Sequence, residues 1–241
     1  MNTNIETPST EKLSKIAAGI LKRLVSIVVF FVMIAILLFV SSGQLNWVWA
    51  WVYLGISTLS VVFNSIIMLR KSPETIAERG EMKITQKWDK IVSGFLALSM
   101  YLALPLVAGL DARFSWTRHL NIEWQILGVV VLAAGLGLSS WAMIENAYFS
   151  TAVRIQSDRG HTVCSSGPYQ FVRHPGYAGM ILQSMGVPIL LASLWALIPG
   201  ITAAGFIVAR TLLEDRTLQA ELAGYKDYVQ KVQFRLIPGI W

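Results

Sequence analysis

The chain has 241 residues, of which 54% are hydrophobic and only 14% charged. A soluble domain carries about 25% charged residues, so the composition excludes an ordinary soluble enzyme and points to an integral membrane protein. The net charge of +6 comes with no clustered basic face, so it is read as membrane topology, not as nucleic-acid binding.

Residues 1–23 form a polar, basic leader with Lys12, Lys15, Lys22 and Arg23. No Ala-x-Ala site follows the first apolar run, and that run is longer than the core of a signal peptide, so cleavage is not expected. Four apolar stretches come next, at 24–40, 47–69, 91–110 and 124–144. Each approaches the ~20 residues that a helix needs to cross ~30 Å of hydrocarbon.

The last apolar stretch is different. No charged residue lies between His174 and Arg210, but Pro188, Ser193 and the pair Pro199-Gly200 interrupt the run. This pattern predicts a helical hairpin, roughly 177–194 and 197–213, and hence about six spans. Eighteen of the twenty Lys and Arg residues then fall on one face, with Arg113 and Arg118 on the other. By the positive-inside rule that face is cytoplasmic and holds both termini. The expected fold is all-α and integral to the membrane. It has a leader (1–23), four spans (24–144) and a region (145–241) that combines a long polar loop, the hairpin and an amphipathic tail.

Polar chemistry gathers in that third region. The loop after the fourth span exceeds thirty residues and carries its own apolar positions, Val153, Ile155 and Val163. Long loops of this kind are often functional. Pro175 suits the first turn of a helix, where its missing N–H costs nothing. His174-Pro175 therefore marks a helix start at the membrane edge, where free N–H groups make an anion site. Tyr169 and Tyr177 flank it, and their rings attract cations. Arg210 and Glu214 are four apart and share a face of the last span.

Each feature also has a plainer reading. Arg210 and Glu214 fit a simple helix ion pair. The tyrosines fit interfacial anchors. Gly135-Leu136-Gly137 fits a close helix contact, and the tail from Gln219 fits an amphipathic segment lying on the bilayer. The histidines His119, His161 and His174 are too scattered to propose a metal site, and one cysteine, Cys164, forms no internal disulfide.

The run GHTVCSSGPYQFVRHPGYAG, an apolar hairpin, and then RTLLEDRTLQAELAGYKDYVQKV together resemble the isoprenylcysteine carboxyl methyltransferase family. That family belongs to a wider group of integral-membrane methyltransferases that includes phospholipid N-methyltransferases. The resemblance spans about residues 146–238. It implies a cytoplasmic S-adenosylmethionine pocket contacted by Gln156, His161, Thr162, Val163, Cys164, Tyr169, His174, Pro175, Gly176, Tyr177 and Glu214. It also implies that Arg210 holds the acceptor carboxylate, and that the acceptor is lipid-like or prenylated and enters from the bilayer. No glycine-rich motif of a soluble cofactor domain occurs. Two alternatives stay open: methylation of a phospholipid amine, which would need Glu214, Asp215 or His161 as a base, and a non-enzymatic lipid-binding membrane protein. A transporter is disfavoured, because the first four spans hold few ionisable residues.

Overall fold

The computed structural model describes residues 10–71, 86–118 and 120–241. The start of the leader, most of the basic second loop with Arg79 and Lys83, and His119 lie outside the described residues, as do the side chains of Lys12 and Lys15. Every regular element in the described residues is helical.

Helix α1 runs Thr10–Ser42 and α2 runs Val48–Lys71. The third long helix, α3 (Lys87–Phe114), changes winding midway. It is α-helical to Ala97, a π-helix over Leu98–Ala103, and α-helical again from Leu104. Pro105 explains the change: it has no N–H to give the Tyr101 carbonyl, and its ring would crowd that carbonyl in an unbroken α-helix. Helix α4 spans Ile122–Glu145. The loop that follows contains two short 3-10 turns, Ser157–Arg159 and Gly167–Gln170. Then come α5 (Pro175–Leu190), α6 (Leu197–Glu221) and a short α7 (Tyr225–Lys231).

Five of these helices are long and apolar enough to cross a membrane: Ala17–Ser42 of α1, then α2, α3, α4 and α6. Their outward faces are apolar, as at Val28, Val32 and Ile36 of α1, Leu59 and Phe63 of α2, and Ile91 and Phe95 of α3. Water would not tolerate so much contiguous exposed apolar surface. The predicted fifth span, α5, is shorter than expected. It has 16 residues and so reaches about 24 Å. It ends at Leu190 rather than 194 because Ala192 takes a left-handed conformation (φ +54°) and Ser193 N–H turns back onto the Pro188 carbonyl.

Helices α5 and α6 run antiparallel. Tyr177 meets Glu214 at one end, and Gly200 packs on the Ser184 carbonyl and the Pro188 ring near the other. Helix α6 continues two turns beyond the expected end at 213, so Glu214 and Asp215 sit on regular helix. Between α4 and α5 the backbones nearly touch. A Cβ on Gly128 would lie 2.2 Å from Leu190 N, and one on Gly135 would lie 2.6 Å from Gly179 O. The expected glycine contact therefore holds for Gly135. Gly137 has nothing within 4 Å, because it points off the α5 face and lines a groove towards α2.

The two ends of the bundle differ. At one end Asp111 of α3 accepts from Thr117 and from the Ser193 hydroxyl in the α5–α6 turn, which ties that turn to the α3–α4 loop. At the other end the long loop, the start of α5, the end of α6 and the tail converge. The core between the ends is aliphatic, centred on Ile34, Leu38, Leu104, Leu132 and Leu190.

Candidate active site

The loop after α4 is folded by its own polar groups. Asn146 leaves the helix and accepts from the Tyr148 N–H (2.9 Å), while its amide reaches the Tyr169 hydroxyl (3.3 Å). Gln156 is almost wholly buried. Its amide donates to the Tyr148 carbonyl (2.7 Å), its oxygen accepts from Arg159 (2.8 Å), and its backbone N–H donates to His161 Nδ1 (3.3 Å). The His161 ring lies on Tyr148, with centroids 4.4 Å apart. Burial, and then the neighbouring Arg154 and Arg159, lower the His161 pKa, consistent with a neutral ring accepting at Nδ1.

Asn146, Tyr148, His161 and Tyr169 are among the residues that wall a cleft open to solvent. Of the residues predicted from sequence, the wall includes His161, Thr162, Val163, Cys164, Tyr169, His174, Gly176, Tyr177 and Glu214. Gln156 and Pro175 are not in it: Gln156 pins the loop from behind, and Pro175 is buried as the first residue of α5. Gly176 is required by packing, since a Cβ there would come 2.6 Å from the Phe149 ring. Burial raises the Cys164 thiol pKa, so the thiol stays protonated at neutral pH.

The expected anion site at the start of α5 is narrower than predicted. The His174 carbonyl accepts from both Tyr177 and Ala178, and the His174 N–H donates to the Arg235 carbonyl. Pro175 has no N–H, so Gly176 is the first-turn donor left open among the described residues.

Two charged groups organise the floor. Asp215, 1% exposed, accepts from Arg173 Nε and Nη2 (2.9 and 3.0 Å), from the Tyr225 hydroxyl (3.0 Å), from Arg235 Nε (3.0 Å) and from Gln219 (3.0 Å). His174 Nε2 is 3.3 Å from the same carboxylate. The Arg173 N–H and side chain also bind the carbonyls of Phe234, Val232 and Gln233. The tail is therefore bound across the base of the cleft and does not simply lie on a bilayer. Burial and the adjacent Asp215 hold the Tyr225 pKa above its usual range, so its hydroxyl remains a donor.

Arg210 and Glu214 do not pair with each other. Glu214 accepts from the Tyr177 hydroxyl. Arg210 lies behind that part of the wall, 5.6 Å from the Tyr177 ring centroid, and its Nη2 donates to the Thr151 carbonyl (2.7 Å). Arg210 Nε is 2.9 Å from Oδ1 of the wholly buried Asp89. The Nε–H is not aligned for a hydrogen bond, so this contact is an ion pair. Nη1 has no partner among the described residues.

Sequence reasoning missed Asp89, Tyr148, Tyr225 and Tyr228. Asp89 had one visible signal, an acid at the mouth of an apolar span. The tyrosines read as loop and tail residues, because nothing local reports a tail folded back 50 residues away.

Residues 124–221 match the family model of the isoprenylcysteine carboxyl methyltransferase (ICMT) family. Over that part, 98 of its 241 residues, the chain is similar to that family. It is 26% identical to protein-S-isoprenylcysteine O-methyltransferase B of Arabidopsis thaliana, over 74% of this chain and 92% of that protein. The enzyme of Xenopus laevis is 27% identical over 46% of this chain, and that of Mus musculus 26% over 48%. The chain spans less than half the length of these two vertebrate relatives, 40% and 43%. The fold resembles the solved structure of a eukaryotic intramembrane Ras methyltransferase, isoprenylcysteine carboxyl methyltransferase. The TM-score is 0.53 at 18% identity, over 88% of this chain and 74% of that one. With its five long apolar helices, the chain is a multi-pass membrane protein. The family match begins in α4 and ends with α6, so it contains most of the cleft but neither Asp89 nor the tail tyrosines.

Proposed function

We propose that the protein transfers a methyl group from S-adenosylmethionine to the carboxylate of a lipid-like acceptor, with an isoprenylcysteine carboxylate as the leading candidate. The chemistry of the cleft fits this donor. Tyr169 offers an aromatic ring to a sulfonium, Glu214 offers a carboxylate to an ammonium, and Arg154 and the Gly176 N–H offer donors to a carboxylate. When bound, the donor supplies its methyl group: the acceptor oxygen forms a bond to that carbon as the carbon–sulfur bond breaks, leaving a thioether and moving no proton.

The chain's own contribution is positioning and water exclusion. Tyr177 is held by Glu214 on one side and by Arg210 on the other. Arg210 presents its open Nη1 to an acceptor carboxylate as a charge-assisted donor. The observation that carries this reading is Arg210, a buried guanidinium held against the cleft wall with one nitrogen unengaged. Methylation of an amine would need a base. Asp215 is saturated by donors, which leaves Glu214 and His161 for that role and favours the carboxylate.

In the same reading α5 serves as a short sixth span paired with α6. The cleft and both termini share the cytoplasmic face, and residues 145–241 form the catalytic region on a scaffold of residues 24–144. The acceptor reaches Arg210 laterally from the bilayer. The test is incubation of membranes with labelled S-adenosylmethionine and a farnesylated cysteine bearing a free carboxylate. A base-labile methyl ester is the expected product. Label found only in a phospholipid amine would replace this reading with the N-methylation one, and calorimetry showing no donor binding would favour the non-enzymatic alternative.

A further inference from the structure

Asp89 lies outside the part of the chain that matches the family, in the first turn of α3. It is the one charged residue of the described chain with no exposed surface at all. Its Oδ2 accepts from the Val153 N–H (2.8 Å). Its Oδ1 accepts from the Ser93 hydroxyl (3.0 Å) and faces Arg210 Nε at 2.9 Å. One carboxylate thus joins three separate elements: its own helix, the cleft loop and α6.

Burying a carboxylate costs several kcal/mol, and a pair of charges offsets that only with good geometry and further hydrogen bonds. Asp89 has both. As a device for stability alone it would be a poor choice, since an apolar pair of similar size serves as well or better. What an apolar pair would not do is fix a guanidinium. Arg210 has five donor hydrogens on a long, rotatable stem. Asp89 takes the Nε edge, the Thr151 carbonyl takes Nη2, and the Tyr177 ring supports the plane. Nη1 is what remains. The loop that supplies Thr151 also lines the cleft, and it is anchored two residues later by Asp89 through Val153.

We propose that Asp89 is the positioning residue for the acceptor-binding arginine. It fixes which nitrogen of Arg210 faces the acceptor carboxylate and ties that orientation to the cleft loop. This rests on the methyl-transfer reading above. It gives the N-terminal half of the chain a direct part in acceptor recognition. Asp89 touches neither donor nor acceptor, so its removal acts through Arg210.

The experiment measures methyl transfer to a farnesylated cysteine, together with S-adenosylmethionine affinity by calorimetry, for Asp89→Asn, Asp89→Glu, Arg210→Lys and the double variant Asp89→Asn/Arg210→Lys. Asp89→Asn is expected to lower kcat/KM for the acceptor by about tenfold or more, as for other buried partners of a binding charge, while donor affinity holds. Asp89→Glu keeps the charge and recovers part of the loss. In the Arg210→Lys background, Asp89→Asn adds little, because the group it positions is already gone. Full loss of donor binding in both Asp89 variants would mark a purely structural role and overturn the proposal. So would losses that multiply in the double variant. Wild-type kinetics for Asp89→Asn beside an impaired Arg210→Lys would end this inference alone. Wild-type kinetics for Arg210→Lys and for Arg210→Ala would end the methyl-transfer assignment of Arg210 with it.

Discussion

Tyr177 donates its hydroxyl to the Glu214 carboxylate while the guanidinium of Arg210 lies 5.6 Å from the centroid of its ring. One side chain thus joins the acid on the cleft wall to the cation behind it. Glu214→Ala removes the carboxylate and is expected to weaken S-adenosylmethionine binding by about tenfold or more, the scale of a lost charge-assisted hydrogen bond. Tyr177→Phe keeps the ring under Arg210 and frees Glu214, so its effect is smaller. Calorimetry on detergent-solubilised protein separates the two. Unchanged affinity in Glu214→Ala would remove that residue from the donor site.

Arg210→Ala should divide the two halves of the reaction differently. The cleft wall does not include Arg210, so on the proposed reading donor affinity should stay within about twofold. Turnover should fall by about a hundredfold or more, as when a single preorganised donor is deleted from other active sites. An Arg210→Ala protein that methylates at the wild-type rate would show that the acceptor is held elsewhere.

Asp215 holds a different kind of place. Arg173, His174, Tyr225, Gln219 and Arg235 all converge on it, and Arg173 is 4% exposed. Asp215→Ala would leave that arginine buried without its counter-charge, at a cost of about 3–5 kcal/mol. For a chain of this size the thermal midpoint should fall by roughly 10 °C. Asp215→Asn keeps some acceptors and should fall less. A midpoint that stays put in both would mean that the tail is held by something other than this carboxylate.

How much of this was legible beforehand depended on the range of the interaction. Three of the four long apolar runs were read within four residues of their helix limits, because hydropathy is local, whereas the first helix starts at Thr10, well before the expected 24, through polar and basic turns that hydropathy does not mark. Helix α6 was read as ending near 213, because charges at Glu214, Asp215 and Arg216 look like a span exit. The helix in fact continues to Glu221, since Glu214 and Asp215 face the cleft and the folded tail instead of lipid. The motif around His174 placed most of the cleft wall. Gln156 was expected, from the resemblance, to contact the cofactor, but it is buried and does not line the cleft, since a family motif does not say which way an amide turns. Asp89 showed only as an acid at the mouth of a span because its partners Arg210 and Val153 are far away in sequence, and the site role of Tyr225 was hidden because it meets His174 from 51 residues away.

The α4–α5 contact gives a paired prediction. Backbone atoms of α5 occupy the space where side chains at Gly128 and Gly135 would go, and backbone cannot step aside as a side chain can. Gly128→Ala and Gly135→Ala should each cost about 1–3 kcal/mol through forced separation of the helices. Gly137→Ala meets nothing within 4 Å and should be neutral or slightly stabilising, since alanine favours a helix over glycine by up to about 1 kcal/mol. Thermal midpoints in one detergent decide it. Equal behaviour of Gly135→Ala and Gly137→Ala would contradict the close approach of α5.

His161 supplies the pH dependence. Burial first, and then Arg154 and Arg159, lower its pKa below the ordinary value near 6.5. A base whose folded pKa is depressed binds fewer protons folded than unfolded, so folding is opposed as the pH falls below that ordinary value. The fold is therefore at full strength from His161 above about pH 6.5, with the loss beginning below it and levelling off once the pH passes the folded value. Donor binding should follow the same course, because a protonated ring would give up the Gln156 N–H it accepts at Nδ1 and would set a cation beside a sulfonium. His161→Phe retains an aromatic ring against Tyr148 and cannot be protonated. Its thermal midpoint and donor affinity should vary less between about pH 7 and pH 5 than those of the wild type. An acid limb of the same steepness in His161→Phe would assign the pH dependence to another group.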